Sequence, residues 1–218
     1  MKKHIPNSIT SLNLAIGSFG IFYVLTIDHS YAFYFVAVAG IFDFLDGFAA
    51  RLLKVKSEIG KELDSLADMV SFGLLPAFYM LKLLEGTSEF YWVAILIAIF
   101  SALRLAKFNI DDSQSDSFEG LPTPANAIML TSLFLLELPL HEVTLIGICL
   151  MSSLLLISKL RLIALKFKSF SWKGNEPRWI LILGTVMLLL VFGWTFVPLL
   201  IPYYLVVSIL STVSLHRG

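Results

Sequence analysis

The sequence predicts an all-α protein, a polytopic membrane helix bundle of about eight helices, and two observations carry that reading. Of 218 residues, 57% are hydrophobic and 15% charged, with a mean hydropathy of +0.84. That is more apolar surface than one soluble core can hide. The apolar residues also gather into stretches near 5-27, 31-53, 58-84, 89-108, 122-140, 143-165, 178-196 and 199-215, each close to the ~20 residues that span a hydrocarbon layer. Lys plus Arg number 16, as do Asp plus Glu, so the net charge is zero and bulk electrostatics point to no nucleic-acid partner. The single Cys149 lies in an apolar run; it cannot form an intramolecular disulfide and reads as a small buried hydrophobe.

The first stretch opens on Pro6, Asn7, Ser8, Thr10, Ser11 and Asn13, polar enough to lie in the interface before the chain enters the bilayer. Lys2 and Lys3 precede it, but no small-residue cleavage site comes before Asp28, so the stretch is expected to stay in the mature protein. The second and third stretches meet at the short turn from Lys54 to Ser57, which makes them antiparallel neighbours, and Ser57 is placed to N-cap the third. Tyr31, Tyr34, Tyr91, Trp92, Trp172 and Trp179 fall near boundaries, as interfacial anchors do. Ser152, Ser153 and Ser158 read as helix-packing contacts, and His4, His29, His141 and His216 lie in termini or loops. Residues 179-215 are nearly continuous; Pro198 and Pro202 mark either a turn between two passes or a kink in one long helix.

Basic residues set the expected orientation. With a cytoplasmic amino terminus and eight crossings, Lys2, Lys3, Lys54, Lys56, Lys61, Arg104, Lys107, Lys159, Arg161, Lys166, Lys168, Lys173, Arg178 and Arg217 fall on the cytoplasmic side and Lys82 falls outside. This matches the positive-inside rule. Asp111, Asp112, Asp116 and Glu119 barely weigh in that count. The run Lys166, Lys168, Lys173 and Arg178 reads as a turn facing anionic lipid.

The chemistry lies in two polar patches inside apolar stretches: Asp43-x-x-Asp46-Gly47-x-x-Ala50-Arg51 and Gly60-x-x-x-Asp64-x-x-x-Asp68. An unpaired charge at the bilayer centre costs at least ~2.5 kcal/mol even on the most lenient scale, so four aspartates need a partner. Helical spacing stacks Asp43, Asp46, Gly47 and Ala50 on one face, and Gly60, Asp64 and Asp68 on one stripe of the next helix. Carboxylates that close repel one another and take up protons unless hard divalent cations are held between them. Oxygen-only ligation, with no Cys or His nearby, points to Mg²⁺ or Mn²⁺. A pair of such ions can clamp a pyrophosphate. The small residues Gly47, Ala50 and Gly60 let a substrate approach the backbone, or alternatively let helices pack closely. The helix amino terminus at Ser57 favours a phosphate. A cation or proton path through a transporter is the other reading of intramembrane acids, although these cluster at one membrane end.

Those same residues resemble the signature of the CDP-alcohol phosphatidyltransferase family: Asp43, Asp46, Gly47, Ala50, Arg51, Gly60, Asp64 and Asp68 all stand at the family's intervals. The resemblance implies a CDP-linked lipid donor, two metal ions on Asp43, Asp46 and Asp64, and Asp68 close to a metal and serving as general base. It implies a binding surface for the CDP-lipid over Gly47, Ala50, Arg51, Ser57 and Gly60, and a homodimer. It also implies a six-helix core over residues 1-165, with a further helix pair in 166-218. Three other strings, Ile5-Pro6-Asn7 through Asn13, Arg104-Leu-Ala-Lys107-Phe108-Asn109 and Phe118-Glu-Gly120-Leu121-Pro122-Thr-Pro124, look like the subgroup that makes phosphatidylserine from CDP-diacylglycerol and L-serine, releasing CMP. Arg104 and Lys107 are then the candidates to hold the serine carboxylate; their bland alternative is snorkelling to lipid headgroups. The same chemistry with glycerol 3-phosphate or inositol phosphate as acceptor is the neighbouring alternative. The expected setting is a bacterial cytoplasmic membrane with the site facing the cytosol.

Overall fold

The computed structural model describes residues 4–55, 57–110, 118–163, 171–172 and 174–215. Lys2, Lys3, Lys56, Lys166, Lys168, Lys173 and Arg217, counted above for orientation, lie outside the described residues, as do Asp111, Asp112, Asp116 and His216.

Helices α1 (His4–Thr26) and α2 (Ala32–Leu53) are joined through a 3-10 turn, His29–Tyr31. Asp28 caps that turn, accepting from the Ser30 backbone N–H at 2.9 Å and the Ser30 hydroxyl at 2.8 Å. These bonds, the backbone one first, hold the Asp28 carboxyl below its ordinary range. Helix α3 (Glu58–Asp68), a π-helical stretch (Met69–Leu74) and α4 (Leu75–Leu84) run on as one rod. Then come α5 (Ile95–Ile110), α6 (Thr123–Thr131), α7 (Glu142–Ile157), α8 (Glu176–Phe192) and α9 (Val197–Leu215). Each expected apolar stretch has thus become a helical rod. Among the described residues, five continuous helical stretches are long and apolar enough to cross a membrane: His4–Thr26, His29–Leu53, Glu58–Leu84, Tyr91–Ile110 and Glu176–Ser211, the last containing α8 and most of α9. This is an integral membrane protein.

Two rods are shorter than expected. Helix α6 has nine residues and α7 has 16, which at ~1.5 Å per residue leaves both below the ~30 Å of a hydrocarbon layer. The stretch 122-140 is cut short because its 3-10 continuation, Leu133–Leu136, ends at Glu137 in the left-handed region at φ 52°, and Pro139 follows. The tail of 143-165 is extended: Ser158 ends α7 at ψ 152°, and Arg161–Leu162 (β2) pairs antiparallel with Phe118–Glu119 (β1). Gly120 turns the chain from β1 towards α6 at φ +75°, where a Cβ would meet the Leu156 carbonyl oxygen at 2.7 Å. No other residue type fits both conditions.

Helix α1 organises the bundle. Its buried residues are Pro6, Thr10, Asn13, Gly17, Gly20 and Val24, alternately four and three apart, which is a straight stripe down one face. The polar start, expected to lie in the interface, divides between two faces of α1. Thr10 and Asn13 turn inward, while exposed Ser8 and Ser11 bond back to the carbonyls of His4 and Asn7 at 2.9 and 2.8 Å. The stripe packs against α2 on one side and the α3–α4 rod on the other. A Cβ at Gly17 would lie 2.9 Å from Ser71 Cα, and one at Gly20 would lie 2.8 Å from Phe35 Cβ. Helices α2 and α3, expected as antiparallel neighbours, leave the turn where Lys54 at φ 53° caps the Ala50 and Arg51 carbonyls, and α2 meets the rod directly only further on, over Met69–Leu84. Each lies along α1, and a cleft opens between them.

The last two rods form a hairpin, which decides between two passes and one kinked helix. Tyr203 donates its hydroxyl proton to the Ile180 carbonyl at 2.8 Å, a pair 23 residues apart; along one straight helix they would stand ~35 Å apart. The reversal is made at Gly193–Phe196, with Gly193 at φ +60°, and not at the prolines. Pro198 sits in the first turn of α9, where a missing N–H costs nothing, and Pro202 lies within α9. The hairpin leans on α6 through α9, and Tyr204 donates to the Ile163 carbonyl at 2.9 Å.

Candidate active site

Asp43 reaches across the cleft from α2 towards Asp64 and Asp68, which lie one turn apart on α3. One carboxylate oxygen from each of the three falls within 4.8 Å of the others. Asp43 and Asp64 are in hydrogen-bonding contact, an approach that two carboxylates tolerate only with a proton or a cation between them. Asp64 Oδ1 and Asp68 Oδ1 are buried without a hydrogen-bond partner among the described residues. An orphaned buried acceptor costs about 1–3 kcal/mol. A cation among the three removes the repulsion and satisfies the orphaned oxygens at once, and an all-oxygen donor set suits a hard divalent ion. The residues present therefore fit a metal ion.

The fourth aspartate is placed differently. Asp46, expected with Asp43 and Asp64 as a principal ligand, lies outside the group of three. It is only 6% exposed and accepts a hydrogen bond from the Thr10 hydroxyl at 2.6 Å. One turn further along the same face it forms part of the wall of a cavity of about 620 Å³ between α1, α2 and α3.

Gly47, Ala50, Ser57 and Gly60, four of the five residues expected at the CDP-lipid surface, line this cavity. Ser57 caps α3 as anticipated, its Oγ accepting from the Gly60 N–H at 3.2 Å. The two glycines do different work. A Cβ at Gly47 would meet nothing within 4 Å, so Gly47 faces open space; one at Gly60 would meet Asn7 Oδ1 at 2.9 Å, so Gly60 lets α3 approach α1. Arg51, the fifth, stands outside the wall, exposed, with its Nε donating to the Gly47 carbonyl at 3.1 Å. Asn7, Thr10, Val55, Glu58 and Lys61 also line the cavity, and sequence reasoning did not place them there. The signal for Asn7 and Thr10 is a polar run in an apolar helix, a pattern that an interfacial entry shares. Lys61 is the one cation on the wall among the described residues, and its Nζ donates to the Asn109 carbonyl at 2.9 Å. The Asn109 side chain in turn donates to Ser65 Oγ at 2.8 Å, tying α5 to α3.

The expected acceptor pair separates. Arg104 on α5 is close enough to Asp68 to interact with it electrostatically, and its Nε is buried without a partner among the described residues. Its guanidinium also lies 5.7 Å from the centre of the Phe108 ring. Lys107, one turn along, is exposed and sits 3.8 Å from the Glu119 carboxylate. Only Arg104 faces the aspartates.

The sequence profile of the CDP-alcohol phosphatidyltransferase family matches residues 3–214. The chain is 32% identical over 220 residues to a CDP-diacylglycerol–serine O-phosphatidyltransferase of Helicobacter pylori, covering 96% of this chain and 91% of that protein. It is 35% identical over 160 residues to the protein of the same name from Bacillus subtilis, covering 72% and 89%. The one from Mycobacterium leprae is 37% identical over 142 residues, covering 62% of this chain, which spans 47% of that relative's length. A profile that runs across nearly the whole chain shows that this protein belongs to the CDP-alcohol phosphatidyltransferase family.

Proposed function

We propose that this protein transfers the phosphatidyl group of CDP-diacylglycerol to the hydroxyl of L-serine, releasing CMP and forming phosphatidylserine. The observation that carries the reading is the meeting of Asp43, Asp64 and Asp68 beside a cavity that Asp64 shares with Gly47 and Ser57. Pyrophosphate chemistry needs anion-compensating charge next to room for a nucleotide. The relatives' shared name supports serine as the acceptor.

The cluster is proposed to hold Mg²⁺ or Mn²⁺ as a pair of ions, with Asp43, Asp46 and Asp64 as principal ligands and Asp68 close to a metal. Such ions, when bound, polarise the phosphorus and neutralise the leaving phosphate. Gly47 and Ala50 leave space for the CDP moiety, and the amino-terminal end of α3 offers a favourable field to its phosphates. The acyl chains remain in the bilayer beside the cleft. Arg104 holds the serine carboxylate by charge-assisted hydrogen bonds, which orients the hydroxyl towards Asp68. Asp68 takes the hydroxyl proton as the serine oxygen bonds to the phosphorus bearing diacylglycerol, and the bond from that phosphorus to the CMP oxygen breaks. Positioning and electrostatics supply most of the rate enhancement. We place the site at the cytosolic face of a cytoplasmic membrane and the protein in a homodimer, with residues 1-165 as the catalytic core and 166-218 as an appended pair of helices.

The test is purified protein with CDP-diacylglycerol, Mg²⁺ or Mn²⁺, and L-serine, glycerol 3-phosphate or inositol phosphate as acceptors. The expected result is CMP and phosphatidylserine with serine alone; a different lipid product rejects serine as the acceptor.

A further inference from the structure

We propose that α1 is the brace that fixes the separation of the two carboxylate-bearing helices, with Thr10 and Asn13 as its positioning residues. The proposal rests on the reading of the aspartate cluster as a metal site. Asp43 and Asp64 must meet closely, yet at their level α2 and α3 each pack along α1, and α2 meets the rod directly beyond Asp68, over Met69–Leu84. The spacing of the carboxylates is therefore transmitted through α1.

Two buried hydrogen bonds carry that transmission, and they start from residues three apart on one face. On one side the Thr10 hydroxyl reaches Asp46 Oδ2 on α2 at 2.6 Å. On the other, Asn13 Oδ1 accepts from the Ser71 hydroxyl at 2.7 Å, three residues beyond Asp68 on the same rod. The Thr10 hydroxyl has a second acceptor, the Pro6 carbonyl at 3.0 Å, but only one proton to give. The carboxylate bond is shorter and charge-assisted, so it takes the proton. Asp46 Oδ2 is thereby committed to α1, and its other oxygen remains for the cavity. Lateral slip of α1 along the α3 rod is blocked above and below: a Cβ at Gly60 would meet Asn7 Oδ1 at 2.9 Å, and one at Gly17 would meet Ser71 Cα at 2.9 Å. A brace seated this closely cannot shift without moving its neighbours.

The experiment measures Mn²⁺ binding by electron paramagnetic resonance on purified wild type, Thr10→Val, Thr10→Ser and Asn13→Ala in detergent, without any lipid substrate. The Mg²⁺ dependence of serine-dependent CMP release is measured alongside. Thr10→Val, similar in shape but without a hydroxyl, is expected to weaken Mn²⁺ binding and raise the Mg²⁺ requirement about 10-fold or more, as loss of an outer partner of a metal ligand does. Asn13→Ala is expected to move both in the same direction, and Thr10→Ser to restore wild-type binding. In an Asp46→Asn background, Thr10→Val should add nothing further. Unchanged Mn²⁺ affinity in folded Thr10→Val overturns the brace. If Thr10→Val does not fold, Thr10→Ser and Asn13→Ala decide: a Ser variant that binds poorly, or an Ala variant that binds as wild type, overturns it equally. A wild type that binds no Mn²⁺ removes the metal reading itself, which is a separate result.

Discussion

The rod Glu58–Leu84 and the terminal hairpin 176–211 are both apolar enough to cross a membrane, yet over an apolar 18-residue stretch of each, half of the first is buried inside the protein and only 17% of the second. The less apolar of the two is the more enclosed. In water the ordering would be the reverse; in lipid an apolar side chain gains little by leaving the hydrocarbon, and polar groups are what need enclosure. The rod turns half-buried Asp64 and Asp68 and buried Ser71 inward beside the core residues Phe72, Leu75, Tyr79 and Met80, whereas the hairpin turns Leu183, Met187, Leu190 and Val191 outward. One region is built for chemistry, the other for contact with lipid. Perturbations should sort the same way.

The largest effect is expected in the first region. Asp64→Asn or Asp43→Asn removes one side of the carboxylate cluster, so Mn²⁺ binding and CMP release should both be abolished while the protein remains monodisperse. Chelation of divalent cations should have the same effect on wild type and be reversed by Mg²⁺ or Mn²⁺. Asp68→Asn sharpens the comparison within the cluster: kcat is expected to fall about 10²- to 10⁴-fold, the usual worth of a general base, with binding of CDP-diacylglycerol and Mn²⁺ retained. Serine-dependent CMP release at the wild-type rate would reject Asp68 as the base. Next in size is Gly47→Leu. Nothing stands within 4 Å of that position, so the side chain enters the cavity without unfolding the helix; the KM for CDP-diacylglycerol should rise about 10-fold or more, on the scale of a 1–3 kcal/mol steric penalty.

In the hairpin the same kind of change should act on stability alone. A Cβ at Gly184 would meet Tyr203 Cζ at 2.8 Å, so Gly184→Val is expected to cost about 1–3 kcal/mol, seen as a lower Tm with kcat intact. A loss of kcat in the folded variant would show that the two regions are coupled. The smallest effect is expected at Asp28, between the first two rods. The fold holds its carboxyl below the ordinary value, so its contribution is fully present above about pH 4 and is lost as pH falls through the lower folded value. Asp28→Asn should flatten that acid limb of the stability profile and leave activity at neutral pH unchanged.

The aspartate spacing and the Ser57 cap were legible because both follow from local helix geometry: side chains three and four apart share a face wherever the helix sits. The placement of Gly47, Ala50 and Gly60 beside the cleft was legible for the same reason. Thr10 was not, because a polar residue near a helix start has the same pattern whether it faces headgroups or an aspartate on another helix. Nor was the difference between Gly47 and Gly60, one open to the cavity and one pressed on Asn7. The prolines of the last stretch misplaced its reversal, since Pro198 is tolerated in a first turn, while Gly193 reaches φ +60° without strain.

The sequence by itself determined a membrane bundle, the order of its rods and the set of acids that had to find a counter-charge, because hydrophobic length and helical period are properties of a single strand of chain. Only the tertiary structure decided that α2 and α3 both pack along α1, and that Asp46 turns to Thr10 while Arg104 and not Lys107 faces Asp68. Those outcomes depend on which faces meet across 36 to 58 residues of chain, and no local period encodes such a meeting.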